Sequence, residues 1–273
     1  MSEQIISQRQ DLTYLSWDKI RNSSGTAGSF LKAYFELNGV KTYYKLSNYD
    51  AYKGIIGHEC VNEVIVDRLL SYWGIDHLSY QLIHADILVN DTPITTWLCA
   101  SKDFKKPSEG KIALDAYYQV EHQDGESPLE FCIRNGWEAT LYKMLVLDYV
   151  ILNRDRHGAN IEVLRDRKAR MIRLAPLFDH GLSLLFSCMD ENALDKADVL
   201  EDRRVNNFIG SQSTRDNLSL IPAGKRPELK PVDEQVVATL MDGLDEALPS
   251  AWREKIGRMI LLRWKAYEDF CHQ

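Results

Sequence analysis

The sequence predicts an α+β fold in two lobes, with a small β-rich N-terminal lobe and a mostly helical C-terminal lobe. Three observations lead to this prediction. Asn38 and Gly39, a strong hairpin signal, lie between two β-prone runs. Residues 137–152 form a long run that is apolar on most helical faces. A dense polar loop follows it directly. The chain has 273 residues, enough for two lobes, and we assign residues 1–101 to the N-lobe and 102–273 to the C-lobe.

Composition excludes several classes of protein. Apolar residues make up 45% of the chain and charged residues 27%, which is ordinary globular usage. No apolar run reaches the ~20 residues of a membrane helix, and we find no signal peptide. The five cysteines contain no C-x-x-C pair and read as reduced thiols. A net charge of -7 argues against nucleic-acid binding. We therefore expect a cytoplasmic protein with no membrane or direct nucleic-acid partner.

The first 20 residues are polar and then aromatic, and we predict a short helix or strand over residues 14–17. Small residues then dominate residues 21–29. Such a loop lets backbone N–H groups approach phosphate oxygens, because glycine has no Cβ to block them. A flexible surface linker is the alternative. The candidate ATP-binding residues of this Gly-rich loop are Ser23, Ser24, Gly25, Thr26, Ala27, Gly28 and Ser29.

Strands are predicted over residues 30–37 and 40–46, with Lys45 near the end of the second strand. A Gly-rich loop, a strand, a tight turn and a strand with lysine is the order found in a kinase N-lobe, where the lysine reaches the α and β phosphates of ATP. We interpret Lys32 and Lys41 as solvated. Helical periodicity over residues 55–73 ends at Gly74. Within that helix Glu63 is the predicted partner of Lys45. Glu59, or a solvent-facing Glu63, is the alternative.

Residues 78–89 and 94–100 read as strands, separated by a turn at residues 90–93. The break at residues 101–103 has the place of a kinase hinge, whose backbone would bind adenine. The candidate ATP-binding residues here are Leu98, Cys99, Ala100 and Ser101. Residues 105–136 are polar and loop-rich, with one short helix near residues 128–133. Asp148, inside the apolar helix 137–152, must be hydrogen-bonded if buried, and we expect it to brace the following loop.

The polar loop carries Asp155 and Asn160 in the order D-x-x-x-x-N. In a kinase catalytic loop this Asp accepts the proton of the attacking hydroxyl and this Asn holds Mg²⁺. A predicted hairpin, residues 161–164 and 171–174, leads from Asn160 to Asp179, so that the two can share one metal ion. His157 would orient Asp155 or touch the γ-phosphate, or it packs structurally. Residues 187–225 read as irregular, and residues 231–247 and 250–270 as helices that close the C-lobe.

Two other readings of these residues remain open. A metallohydrolase would bind zinc, iron or manganese through a cluster of acids and histidines, but it leaves the Gly-rich loop and Lys45 unexplained. A nucleotide-binding pseudokinase would bind ATP without turnover and act as a regulatory partner. The residues that the metallohydrolase reading would use are Asp155, His157, Asn160, Asp179 and His180.

Residues 144–160, followed by residues 174–179, resemble the catalytic core of HipA-like bacterial serine/threonine kinases. The Asp-Arg-His-x-x-Asn loop is also similar to that of phosphoinositide 3/4-kinases. Residues 24–32 look like a variant of the HipA Gly-rich loop, and residues 62–74 and 101–104 are similar to its N-lobe helix and hinge. The chain resembles a compact version without the extra N-terminal subdomain of HipA proteins.

The resemblance implies a two-lobed kinase that uses ATP and Mg²⁺ and phosphorylates a protein Ser or Thr hydroxyl. Carried over by position, it implies Asp155 as the catalytic base, Asn160 and Asp179 as Mg²⁺ ligands, and Lys45 as the ATP-phosphate lysine. It further implies autophosphorylation on a serine of the Gly-rich loop, and an antitoxin-like or regulatory protein partner. A lipid or small-molecule kinase is the alternative, because the catalytic loop does not identify the phosphate acceptor.

Overall fold

The computed structural model describes residues 4–18 and 30–272. The predicted Gly-rich loop, including Ser23 to Ser29, lies outside the described residues. Within the described part, the N-terminal half is built on a five-stranded sheet in the order β1-β6-β7-β3-β2. Strand β1 pairs parallel to β6, and the other three pairs of neighbouring strands in this sheet are antiparallel. The strands are β1 (Ile5–Asp11), β2 (Lys32–Leu37), β3 (Val40–Leu46), β6 (Gln81–Val89) and β7 (Thr92–Lys102), with the small pair β4 (Tyr49–Asp50) and β5 (Gly54–Ile55) beside them.

The hairpin β2–β3 forms as predicted. Leu37 pairs with Val40, which leaves only Asn38 and Gly39 in the turn. Both turn residues have positive φ, 52° and 75°. Asn and Gly are the residues that accept this backbone most readily, which is why the dipeptide specifies the turn.

One helix, α1 (Glu59–Trp73), packs across the sheet. It ends at Gly74, whose left-handed backbone (φ 67°) lets its N–H bond back to the last turn. The predicted start was four residues too early, because residues 55–58 form part of β5 and the loop that follows it. Leu12 and Leu15 cover the opposite face of the sheet. The short helix or strand predicted over residues 14–17 was wrong, because the structure has neither there. The strand near the N-terminus is β1, which the sequence did not predict because most of its residues are polar.

The C-terminal half is mostly helical. It contains a three-stranded sheet in the order β11-β10-β8 and a two-stranded parallel pair, β12-β9. Its helices are α2 (Leu114–Glu121), α3 (Pro128–Arg134), α4 (Glu138–Val150), α5 (Glu191–Lys196), α6 (Thr214–Leu218), α7 (Glu234–Met241) and α8 (Ser250–His272), and its strands are β8 (Glu109–Ala113), β9 (Asp155–Arg156), β10 (Glu162–Asp166), β11 (Met171–Leu174) and β12 (Asn206–Asn207).

The apolar helix and the hairpin after it match the sequence. Nearly every side chain of α4 from Leu141 onward is buried, as expected of a helix that is apolar all round. The hairpin β10–β11 joins the polar loop to the segment before Asp179. The prediction of loop for most of residues 105–136 was wrong, because β8 and α2 lie there. Strand β8 has no alternating pattern and owes its place to pairing with β10.

A buried arginine connects helix α8 to three other segments by hydrogen bonds. The Arg263 side chain is fully buried. It donates hydrogen bonds to the carbonyls of Tyr149 (2.6 Å), Val199 and Glu201 (3.3 Å each) and to Thr214 Oγ1 (3.2 Å).

No helix in residues 4–18 and 30–272 is both long enough and apolar enough to cross a membrane.

Replacing Arg263 with Met should destabilise the protein strongly. The change removes the Arg263 donors to the carbonyls of Val199 and Glu201 and to Thr214 Oγ1, so we expect the free energy of unfolding to fall by about 3 kcal/mol. Urea denaturation followed by circular dichroism measures this loss. Arg258→Met on the same helix is the control, because Arg258 is exposed, and it should change stability by less than about 0.5 kcal/mol. Equal effects of the two substitutions would contradict the role of Arg263.

Candidate active site

A cavity of about 350 Å³ lies between the five-stranded sheet and the helical half. It is deep enough for a small ligand, and its wall combines charged and aromatic side chains. Seven residues predicted from the sequence line it: Lys45, Cys99, Ser101, Asp155, His157, Asn160 and Asp179.

At one end of the cavity, Lys45 joins the sheet to two other elements. Its Nζ lies 2.8 Å from Glu63 Oε1 on α1 and 2.6 Å from Asp179 Oδ1. Glu63 also accepts a hydrogen bond from the His180 N–H at 2.8 Å. The alternative partner, Glu59, instead accepts from the Asn48 N–H at 3.0 Å. The structure therefore places Glu63, and not Glu59, against Lys45.

Lys45 and Asp179 hold each other in the ionised state, whereas burial raises the pKa of Glu63 above its ordinary value. Burial alone would lower the pKa of Lys45, but Asp179 and Glu63 outweigh it and raise the pKa well above its ordinary value. Burial would raise the pKa of Asp179, but Lys45 and Lys32 reverse the effect and hold that pKa below its ordinary value. This end of the cavity thus carries one ammonium and at least one carboxylate at neutral pH.

Asp179 has an unusual backbone. Its φ is 57°, in the left-handed region that few non-glycine residues adopt. The Asp179 N–H donates to the Tyr80 hydroxyl at 3.3 Å, and its carboxylate is held by Lys45. Strained residues persist where the surroundings fix them, and they cluster at functional sites.

The loop after α4 presents Asp155 to the same cavity. Asp155 Oδ1 accepts from the Asn206 side-chain N–H at 3.2 Å, because β9 pairs with β12. His157 Nε2 lies 3.6 Å from Asp155 Oδ2. Since His157 Nδ1 accepts from the Ala159 N–H at 3.1 Å, a neutral imidazole carries its proton on Nε2, facing Asp155.

Asn160 ends a short 3-10 turn, Gly158–Asn160. Its side-chain N–H donates to the Asp155 carbonyl at 2.7 Å, and its Oδ1 has no hydrogen-bond donor in the described part of the chain. The turn needs glycine, since a Cβ at Gly158 would lie 2.4 Å from the Asp115 Cβ. Together with the Asp179 carboxylate, the Asn160 Oδ1 offers the hard oxygen donors that suit Mg²⁺.

A buried ion pair between Asp148 and Arg156 stabilises the backbone of the loop that carries Asp155 and Asn160. Asp148 accepts from Arg156 at 2.8 Å and 3.0 Å and from the Asn153 side chain at 2.9 Å. Arg156 then donates to the carbonyls of Asn160 and Phe178, at 3.2 Å each. Asp148 therefore braces the loop backbone, as expected, but does so through Arg156. One guanidinium connects the Asn160 loop with the Asp179 segment.

Two predicted residues do not face the cavity. Side chains alternate across a strand, so Cys99 and Ser101 point toward the cavity while Leu98 and Ala100 are buried in the core on the other face.

The described polar residues of the cavity do not have the ligand set of a transition-metal site. In the described ranges, no three His, Cys, Asp or Glu side chains lie close enough to hold one metal ion.

The sequence interpretation missed several residues that line the cavity. Lys32 was assigned to solvent, but it pairs directly opposite Lys45 and lines the cavity. The signal was present, because a two-residue turn at Asn38 and Gly39 fixes this register. Asn206 carried no signal, since its contact with Asp155 spans 51 residues. The other lining residues that were not predicted as site residues include Phe30, Tyr80, Phe178, Lys111 and Glu162.

No protein-family profile and no curated protein sequence matches the chain. Solved structures do match. The Helicobacter pylori proinflammatory kinase CtkA aligns with a TM-score of 0.61 at 16% identity, over 97% of each chain. HipA of Shewanella oneidensis MR-1, from a toxin-antitoxin complex with HipB and operator DNA, aligns with a TM-score of 0.54 at 12% identity, over 94% of this chain and 67% of HipA. At these identities the likeness concerns the fold. It confirms the kinase-like α+β fold and the resemblance to HipA-like kinases at that level.

Proposed function

We propose that the protein is an ATP- and Mg²⁺-dependent kinase that transfers the γ-phosphate to a Ser or Thr hydroxyl of a protein. The observation that carries this proposal is the meeting of Lys45, Glu63 and Asp179 at one end of a cavity that Asp155 and Asn160 also enter or border. Phosphoryl transfer requires positioning and charge neutralisation more than covalent chemistry from the protein. The free cysteines in the described ranges fit a cytoplasmic enzyme.

In this proposal each side chain has a separate role. Lys45, held by Glu63, binds the phosphate oxygens, and Asp179 and Asn160 hold Mg²⁺. The metal would neutralise charge that develops on the phosphates. Asp155 orients the acceptor hydroxyl and takes its proton, as the hydroxyl oxygen bonds to the γ-phosphorus and the bond to the ADP oxygen breaks. The Asn206 side chain holds the Asp155 carboxylate by a hydrogen bond, and His157 Nε2 lies 3.6 Å from it.

Asp179 Oδ1 is bonded to Lys45 Nζ at 2.6 Å. A Mg²⁺ ion at Asp179 would compete for the same carboxylate and leave the lysine free for phosphate oxygens. Binding of metal and of nucleotide should therefore support each other. The Gly-rich loop, with Ser23, Ser24 and Ser29 as candidate autophosphorylation sites, belongs to the proposal on the strength of the sequence alone.

The proposal also covers the phosphate acceptor of the kinase and its protein partner. The protein acceptor is proposed from the sequence resemblance to HipA-like serine/threonine kinases. A lipid or small-molecule acceptor and a pseudokinase are the other outcomes of the experiment below. The Shewanella oneidensis HipA structure includes HipB. By analogy, we include an antitoxin-like or regulatory protein among the candidate partners.

Replacing Asp155 with Asn should slow phosphotransfer strongly while leaving the fold intact. Loss of a general base costs about 10²–10⁴-fold in rate. The assay follows ³²P from γ-labelled ATP into protein, lipid and metabolite fractions, with mass spectrometry to locate phosphorylated residues. Asp124→Asn, an exposed acid, is the control and should keep full activity. Transfer to lipid or metabolite alone would replace the protein acceptor, and equal activity of both variants would refute the role of Asp155.

Replacing Glu63 with Gln should weaken nucleotide binding. The substitution removes the carboxylate that fixes Lys45, and one charge-assisted hydrogen bond contributes about 1.5–3 kcal/mol. We expect the Kd for Mg·ATP, measured by calorimetry, to rise by about tenfold or more. Glu36→Gln, on the exposed edge strand, should leave the Kd unchanged. An unaltered Kd in Glu63→Gln would show that the pair does not prepare Lys45 for phosphate.

A further inference from the structure

Glu162 is a buried acid in the wall of the cavity that the proposed mechanism does not use. It begins strand β10, two residues after Asn160. Because side chains alternate along an extended chain, Asn160 and Glu162 face the cavity while Ile161 between them is buried in the core. Only 6% of the Glu162 surface is exposed.

One oxygen of this carboxylate is paired and the other is not. Glu162 Oε1 lies 3.2 Å from Lys111 Nζ. Glu162 Oε2 is buried, and within residues 4–18 and 30–272 it has no hydrogen-bond partner. An unpaired buried acceptor is uncommon and costs free energy, so the cavity is where its donor is expected to come from.

The charges near Glu162 restrict what that donor can be. A phosphate group at neutral pH offers acceptors only, and the carboxylate would repel it. The Lys111 ammonium, bonded to the other carboxylate oxygen, already supplies a cation for this acid. Asp103, which directly follows β7 at the predicted hinge, lines the same cavity. A neutral N–H or O–H group is the donor that fits.

We infer that Glu162 accepts a hydrogen bond from the nucleoside half of the bound nucleotide and so selects which nucleotide the site takes. The donor is either the exocyclic amine of the base or a ribose hydroxyl. This inference rests on the proposed function. It assigns the phosphates to the Lys45 and Asp179 end, and the nucleoside to the end bounded by Asp103 and Glu162.

A site built around a hydrogen-bond acceptor rejects analogues that lack the matching donor, because the buried acceptor is then left unpaired. Inosine triphosphate lacks the exocyclic amine of ATP, while 2′-deoxy-ATP and 3′-deoxy-ATP each lack one ribose hydroxyl. These three analogues therefore separate the two sources of the donor.

The test measures the Kd of ATP and of each analogue, with Mg²⁺, for the wild type and for Glu162→Leu. We expect at least one analogue to bind the wild type about tenfold or more weakly than ATP, and the gap to shrink to within about threefold in Glu162→Leu. Glu109→Gln is the matched control. Glu109 is a buried acid on the neighbouring strand β8, paired with Arg173 at 2.9 Å and absent from the cavity wall, so this variant should keep the wild-type gap.

Two results would overturn the inference while leaving the proposed kinase intact. One is that the wild type binds all three analogues within about threefold of ATP, and the other is that the gap persists in Glu162→Leu. If Glu162→Leu does not fold, Glu162→Met is the second variant, because methionine has a similar length but no oxygen acceptor. An unchanged gap in Glu162→Met would likewise contradict the inference. Failure of ATP itself to bind the wild type would reject the proposed function and the inference together.

Discussion

Lys45 is a buried cation, and the arrangement of the two halves depends on satisfying it. A buried ammonium is stable only when carboxylates lie against it. Strand β3 supplies the lysine, α1 supplies Glu63 and the segment after β11 supplies Asp179. The ion pairs therefore fix where the helix crosses the sheet, and they hold the segment around residues 178–181 against the N-terminal half. Loss of one partner would leave a charge that the interior cannot solvate.

A second buried pair connects the polar loop to that same segment. Arg156, neutralised by Asp148, bonds to the carbonyls of Asn160 and Phe178. The residues that would hold metal and the residue that would take the proton are thus set by one rigid network. The positive φ of Asp179 is a local strain that this network and Lys45 sustain. Rigid placement of this kind is what phosphoryl transfer requires of a protein.

Local signals predicted much of this structure, and contacts between distant segments explain what they missed. The hairpin at Asn38 and Gly39, the end of α1 at Gly74 and the buried helix α4 each follow from turn chemistry, capping or periodicity within a few residues. Strand β8 forms because β10 lies beside it, and its own pattern does not announce a strand. The placement of Asn206 next to Asp155 likewise depends on strand pairing over a long sequence distance.

The direction in which strand side chains point was the second feature that the sequence did not predict. Leu98 and Ala100 were predicted ATP-binding residues beside the hinge, yet strand alternation turns their side chains into the core. Lys32 and Glu162 turn toward the cavity instead. These positions follow from register, which sequence spacing fixes only where a turn is as tight as that of β2–β3. The catalytic interpretation of Asp155, Asn160 and Asp179 rested on motif spacing, and it stays a prediction until nucleotide binding is measured.

The most direct test is calorimetric titration of ATP with and without Mg²⁺, on the wild type and on Asp179→Asn. Our account predicts that Mg²⁺ tightens ATP binding to the wild type and that Asp179→Asn loses this dependence. Asp195→Asn, an exposed acid, should behave as the wild type. ATP binding that depends equally on Mg²⁺ in wild type and Asp179→Asn, or no ATP binding to the wild type, would contradict the assignment of this cavity as a Mg·ATP site.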